Sequence, residues 1–160
     1  MGLFSFIKEA GEKLFGHKEV EQAAATGAPN LAELNQKAGD AIKTYIEQQN
    51  LGVIGLDVAF DGASGKVTLA GSAPSQEAAE KAGLAAGNVA SVSGVENNLQ
   101  YPAGTASQYH DVVRGDTLSA IAKKYYGDAS KYPVIFEANK PMLTHPDKIY
   151  PGQKLRIPAL

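Results

Sequence analysis

The sequence predicts an α+β protein of two small domains behind an N-terminal amphipathic helix. Three observations lead there. Apolar spacing switches repeatedly between the helical period and the alternation of a strand. A short run of Pro, Ala, Gly and Thr at 102–106 separates two such mixed segments. The chain has 160 residues, room for one ordinary domain or two small ones, and 44% of them are apolar, enough for a core.

The elements follow in order. Leu3, Phe4, Ile7, Ala10, Leu14 and Phe15 fall at helical spacing. The opposite face carries Lys8, Glu9, Glu12 and Lys13, a mixed set, whereas a membrane-surface anchor favours Lys and Arg. The helix is therefore expected to pack on its own protein, with an anchor as the alternative. Residues 16–30 are small and polar and read as a linker or loose extension, so that 1–27 forms one N-terminal segment. Asn30 is placed to cap a helix whose stripe is Leu31, Leu34, Ala38, Ala41, Ile42, Tyr45 and Ile46, ending near Asn50 and Gly52. Ile54, Leu56, Val58 and Phe60 alternate as a strand, 61–65 is a turn, and Val67 and Leu69 return. An Ala-rich helix runs from Gln76 to about Val89, its end loosened by Gly87 and Asn88, and a third strand spans 95–101. Beyond the linker, Val112 and Val113 belong to a strand. Asp116 or Thr117 caps a helix bearing Leu118, Ile121, Ala122 and Tyr125. A second helix presents Tyr132, Ile135 and Phe136, and Pro151-Gly152 turns into a strand with Leu155 and Ile157.

The helix-strand-strand-helix-strand order, with Ser93-Gly94-Val95-Glu96-Asn97-Asn98-Leu99, resembles a BON domain over 28–101. Tyr109-His110-Asp111-Val112-Val113-Arg114-Gly115-Asp116-Thr117-Leu118, then Asn139-Lys140 and Ile149-Tyr150-Pro151-Gly152-Gln153, resemble a LysM domain of strand-helix-helix-strand order over 107–160. With the opening Met1-Gly2-Leu3-Phe4 and Lys8-Glu9-Ala10-Gly11-Glu12-Lys13-Leu14, the whole chain resembles the bacterial cytoplasmic potassium-binding proteins built from these two domains.

Composition removes several classes of chemistry. The net charge is −2 with no basic block, which disfavours nucleic acid as a partner. There is no cysteine, so thiolate metal sites, disulfides and cysteine nucleophiles are excluded. His17, His110 and His145 lie at no metal-ligand spacing. His110, Asp116 and Ser119 could be imagined as a hydrolase triad, but Asp116 at a helix start is more simply a cap. No catalytic residue is assigned and no enzyme is expected. Lys8 and Glu9 interrupt the only apolar N-terminal run, Phe6 stands where a myristoylation pattern wants Ser or Thr, and no stretch reaches membrane-span length. A cytoplasmic monomer without a membrane span is the expectation, its protein partner unknown.

The acids are scattered singly, unlike the clustered carboxylates of calcium and magnesium sites. A weakly hydrated cation such as potassium is instead held by backbone carbonyls, which leave almost no side-chain signature. The segment 87–92 ends a helix, where carbonyls are unpaired and the macrodipole is negative; an ordinary helix cap is the competing reading. The resemblance implies K⁺ as the ligand, bound as a cytoplasmic sensor or buffer. The carbonyls favoured for it are those of Gly87, Val89 and Val92, closed by Ile7, Ala10 and Glu12, where Gly11 can break the first helix. LysM domains commonly bind N-acetylglucosamine polymers such as peptidoglycan, and Tyr125, Tyr126, Tyr132 and Tyr150 are the stacking candidates for that alternative. A protein-interaction adaptor is the third possibility.

Overall fold

A computed structural model describes residues 3–5, 14, 22, 23, 25–27, 30–102 and 107–160. Among the described residues, the first half is a four-stranded sheet with two long helices packed on it. Its strands are β1 (Leu3–Ser5), β2 (Ile54–Asp61), β3 (Lys66–Ser72) and β4 (Gly94–Gln100), and its helices are α1 (Leu31–Glu47) and α2 (Gln76–Gly87). Sheet order is β1-β4-β3-β2, with β3 and β4 parallel and the other pairs antiparallel. The second half pairs β5 (Gln108–Asp111) with β6 (Lys154–Ile157) and adds α3 (Leu118–Tyr126), a 3-10 turn at Ala129–Lys131 and α4 (Tyr132–Ala138). This is the expected α+β class; after the opening strand β1 the order is helix-strand-strand-helix-strand followed by strand-helix-helix-strand.

The apolar stripes do what their spacing requires. Ala38, Ile42 and Ile46 of α1 and the alanines of α2 close over Val67, Leu69, Val95 and Leu99 of the sheet. Small residues let the layers approach closely: a Cβ on Gly39 would lie 3.1 Å from Val58 O. The second core gathers Val112, Leu118, Ile121, Ile135, Leu143, Leu155 and Ile157. Ser75 caps α2 by accepting from Ala78 N (3.1 Å), and Thr117 caps α3 by accepting from Ala120 N (3.1 Å).

Four expectations need correction. Leu3–Ser5 is a strand, not the start of a helix; it covers the edge that β4 would otherwise leave unpaired. Three residues rich in Leu and Phe satisfy either period, so the sheet edge decides. Residues 22, 23, 25 and 26 are helical rather than linker, as befits the helix formers of Gln22-Ala23-Ala24-Ala25, and Ala23 is buried. Asn30 stands at the start of α1 but its side chain makes no capping bond. Ile54 breaks the alternation of β2 and is exposed, because the register slips between Ile54 and Asp57 where Gly55 takes a positive φ of 64°.

Candidate functional site: a buried loop at the end of the Ala-rich helix

Alanine-rich α2 lies flat on the sheet and ends at Gly87, two residues short of the expected Val89. Asn88 N donates to Leu84 O (3.0 Å), and a turn follows in which Val92 N donates to Val89 O (3.1 Å). Ser91 holds the turn with φ at +78°, a value rare outside glycine. The whole segment is inside the protein: Gly87 is buried, Val89 and Val92 have no exposed surface, and Asn88, Ala90 and Ser91 are almost fully covered. No basic side chain sits in the last turn of α2 to offset the negative end of its dipole. Gly87 closes α2, and Val89 and Val92 are bonded to each other across the turn that follows, all three of them buried. A carbonyl has two lone pairs, so Val89 O keeps acceptor capacity beyond its bond to Val92.

Ile7, Ala10 and Glu12 fall outside the described residues, as does most of the segment expected to carry them. Two neighbouring facts bear on it. β1 runs antiparallel to β4, Leu3 opposite Glu96 and Ser5 opposite Gly94, so its chain direction points toward the 87–93 loop. Leu14 is half-buried against the first core.

Sequence reasoning missed what holds this loop. Asn88 does not loosen the helix end. Its Nδ2 donates to Lys154 O and its Oδ1 accepts from Lys154 N, both at 2.8 Å. The amide thereby serves as a one-residue strand on the open edge of β6. Asn139 does the same two residues on, taking Arg156 N at 2.7 Å and giving to Arg156 O at 2.9 Å. Beside them the buried pair Glu80–Arg156 closes at 2.8 Å, and Glu80 also accepts from Ser107 N and Oγ. An asparagine within an apolar run is the one signal that could have drawn attention to this contact.

The polar residues of the second half are drawn into structure. His110 Nε2 donates to Asp116 Oδ2 at 2.8 Å, and its Nδ1 lies 3.1 Å from Tyr125 Oη. Both imidazole nitrogens are therefore used without Ser119, and no triad forms. Asp116 also accepts from Val113 N (2.9 Å), so it closes the loop while Thr117 caps the helix, contrary to the simpler cap reading. The His110 hydrogen bond, then that of Val113, holds the Asp116 carboxyl below its ordinary range. These residues line a cleft of about 440 Å³ with Tyr109, Lys124 and Tyr125. Tyr125 and Tyr126 share a second cleft of about 390 Å³ beside Ile157 and Pro158, and Tyr126 Oη donates to Pro158 O. Tyr132 and Tyr150 line neither of these two clefts. Among the described residues, no three His, Asp or Glu side chains gather as a metal site would require, and no helix is long and apolar enough to cross a membrane.

Comparison with known proteins agrees with this architecture. The BON domain family matches residues 33–103 and the LysM domain family residues 110–158. The chain is 46% identical over 162 aligned positions to the potassium binding protein Kbp of Escherichia coli, covering 99% of each. An uncharacterized protein of Deinococcus radiodurans is 47% identical over 55 residues, 34% of this chain and 21% of its own length. An esterase of Mycobacterium tuberculosis is 45% identical over 49 residues, 31% of this chain and 10% of its own. The short matches share a module, whereas the full-length one shares the whole arrangement, and the chain belongs to the family of the potassium binding protein Kbp, with one BON and one LysM domain.

Proposed function

We propose that this protein is a non-catalytic, reversible and selective binder of potassium, acting as a cytoplasmic sensor or buffer. The observation that carries the reading is the full-length identity to Kbp. The geometry supplies a fitting place: a buried helix end with small residues and no cation in its last turn. Backbone carbonyls of Gly87, Val89 and Val92 would take part of the ion's hydration shell. Carbonyls of Ile7, Ala10 and Glu12 would close the other side, a reading supported by the pairing of Leu3–Ser5 with β4 beside the loop. Potassium is then the ligand that fastens that segment to the BON domain, and binding compacts the protein. The domain limits we assign are 28–101 and 107–160.

Calorimetric titration with potassium and sodium at matched ionic strength, on the full chain and on a chain lacking residues 1–14, tests this. Potassium should bind, rubidium should substitute, and sodium and calcium should bind far more weakly. The truncated chain should lose the response. Equal binding of sodium and potassium would refute the reading. Unchanged affinity after truncation would remove the N-terminal carbonyls from the site.

A further inference from the structure

We infer that the β2–β3 turn is a positioning element for the potassium loop, and that Gly65 is its key positioning residue. The inference rests on the potassium reading above and assigns to it a part of the molecule outside the carbonyl set. Gly65 lies against the loop more closely than any side chain would permit. A Cβ there would stand 2.9 Å from Ser91 O, 2.6 Å from Ser93 Oγ and 3.2 Å from Ser93 N. Two of those atoms are backbone and cannot swing aside as a side-chain end could. The contact is also bonded: Ser93 N donates to Gly65 O and Ser93 Oγ to Ser64 O, both at 2.7 Å.

The turn is itself rigid, so it can impose shape. Gly65 N donates to Asp61 O (2.7 Å), while the Asp61 carboxylate accepts from Ala63 N (3.0 Å) and Ser64 Oγ (2.9 Å). Gly62 N donates to Asn35 Oδ1 (3.0 Å), which anchors the turn to α1. The loop is thus held at Asn88 by β6 and at Ser93 by the turn. Ser91 sits between them in a backbone conformation that serine does not choose unaided. Over-determined backbone of this kind is what a carbonyl cage needs. Discrimination between monovalent cations depends on the number, field and spacing of the oxygens, and a loop free to contract would accept the smaller ion.

Three substitutions in the full chain separate this role from mere stability. Gly65→Ala adds the Cβ at Ser91 O. Gly55→Ala is the control: its φ of +64° imposes the same kind of backbone strain, but no atom lies within 4 Å of the added Cβ. Ser93→Ala removes the hydroxyl bond to Ser64 O without backbone strain. Potassium and sodium affinities by calorimetry and thermal midpoints are measured for each. Gly65→Ala should weaken potassium binding about tenfold and lower the potassium-to-sodium ratio, Ser93→Ala should weaken it about threefold, and Gly55→Ala should lower the midpoint with affinity held within about twofold. If Gly65→Ala does not fold, Ser93→Ala decides the matter. Parental affinity and selectivity in Gly65→Ala and Ser93→Ala would overturn the inference, as would an equal loss in Gly55→Ala. A parent that binds no potassium would refute the function reading itself, and the inference with it.

Discussion

The helices α2 and α3 end in opposite ways. α3 finishes by local rules: Gly127 takes the left-handed conformation at φ 73°, its N–H returns to Lys123 O at 2.9 Å, and Lys123 and Lys124 face the negative end of the dipole. α2 shares the returning N–H, Asn88 N to Leu84 O at 3.0 Å, but has neither the left-handed glycine nor the lysines. Its last turn holds no basic residue, its C-cap is Asn88 at φ −88°, and its continuation is shaped by contacts with Lys154 and Gly65, distant in sequence. A helix end that needs nothing further is completed by its own few residues. The end of α2 is instead completed by the fold around it, through Lys154 and Gly65.

The largest effect should come from exchanging these roles. Gly87→Pro removes an N–H from the last turn of α2 and sets the ring against the preceding turn, at a cost of about 3 kcal/mol where Pro enters a helix. Potassium binding should be lost outright in calorimetry, even at temperatures where circular dichroism shows the chain folded. Gly127→Ala at the end of α3 should cost only about 1 kcal/mol of stability and leave potassium affinity untouched. If Gly87→Pro bound potassium normally, the site would lie elsewhere than α2.

A loss of stability without outright loss of binding is expected from parting the domains. Glu80→Ala leaves Arg156 buried without its partner, and breaking a buried pair this way costs about 3 kcal/mol. The loss should appear in urea unfolding as a lower midpoint or a separate early transition from the LysM half. A single transition at the parental midpoint would show that Asn88 and Asn139 suffice to complete β6.

Much of the fold was legible in the residues, because stripes such as Ala38, Ile42 and Ile46 or the pair Val67 and Leu69 carry their period on their side chains. Leu3–Ser5 was not, since three residues fit any period and the answer belonged to an edge ninety residues away. The candidate site was legible only as a helix end. Backbone carbonyls have no residue signature, and the groups that shape them act across long separations: Gly65 on Ser91, Asn88 on Lys154. The reverse error is instructive as well. His110 and Asp116 invite a catalytic reading by residue type, and the structure uses both to close a loop.

That cluster gives the smallest effect and the cleanest separation of the two domains. Asp116 accepts from His110 and from Val113 N, and those bonds, His110 first, hold its carboxyl below the ordinary range in the folded state. The folded chain therefore binds fewer protons than the unfolded chain in the window between the two values. Stability rises with pH across that window, is complete above about pH 4, and is lost as pH falls through the depressed folded value. Asp116→Asn cannot ionise, so it should cost about 1 kcal/mol at neutral pH, as the loss of a charge-assisted bond does. The acid side of its stability profile should be flatter. Lys124 also faces this carboxylate, so the flattening should persist in a Lys124→Met background if the hydrogen bonds dominate. Potassium affinity at pH 7 should not change in Asp116→Asn, because the proposed ligands are uncharged backbone groups of the other domain. Thermal unfolding between pH 3 and 7, paired with calorimetry at pH 7, measures both. An acid slope identical to the parent's would show that Asp116 is not the titrating group, and a weakened potassium response would place the LysM loop within the ion's site.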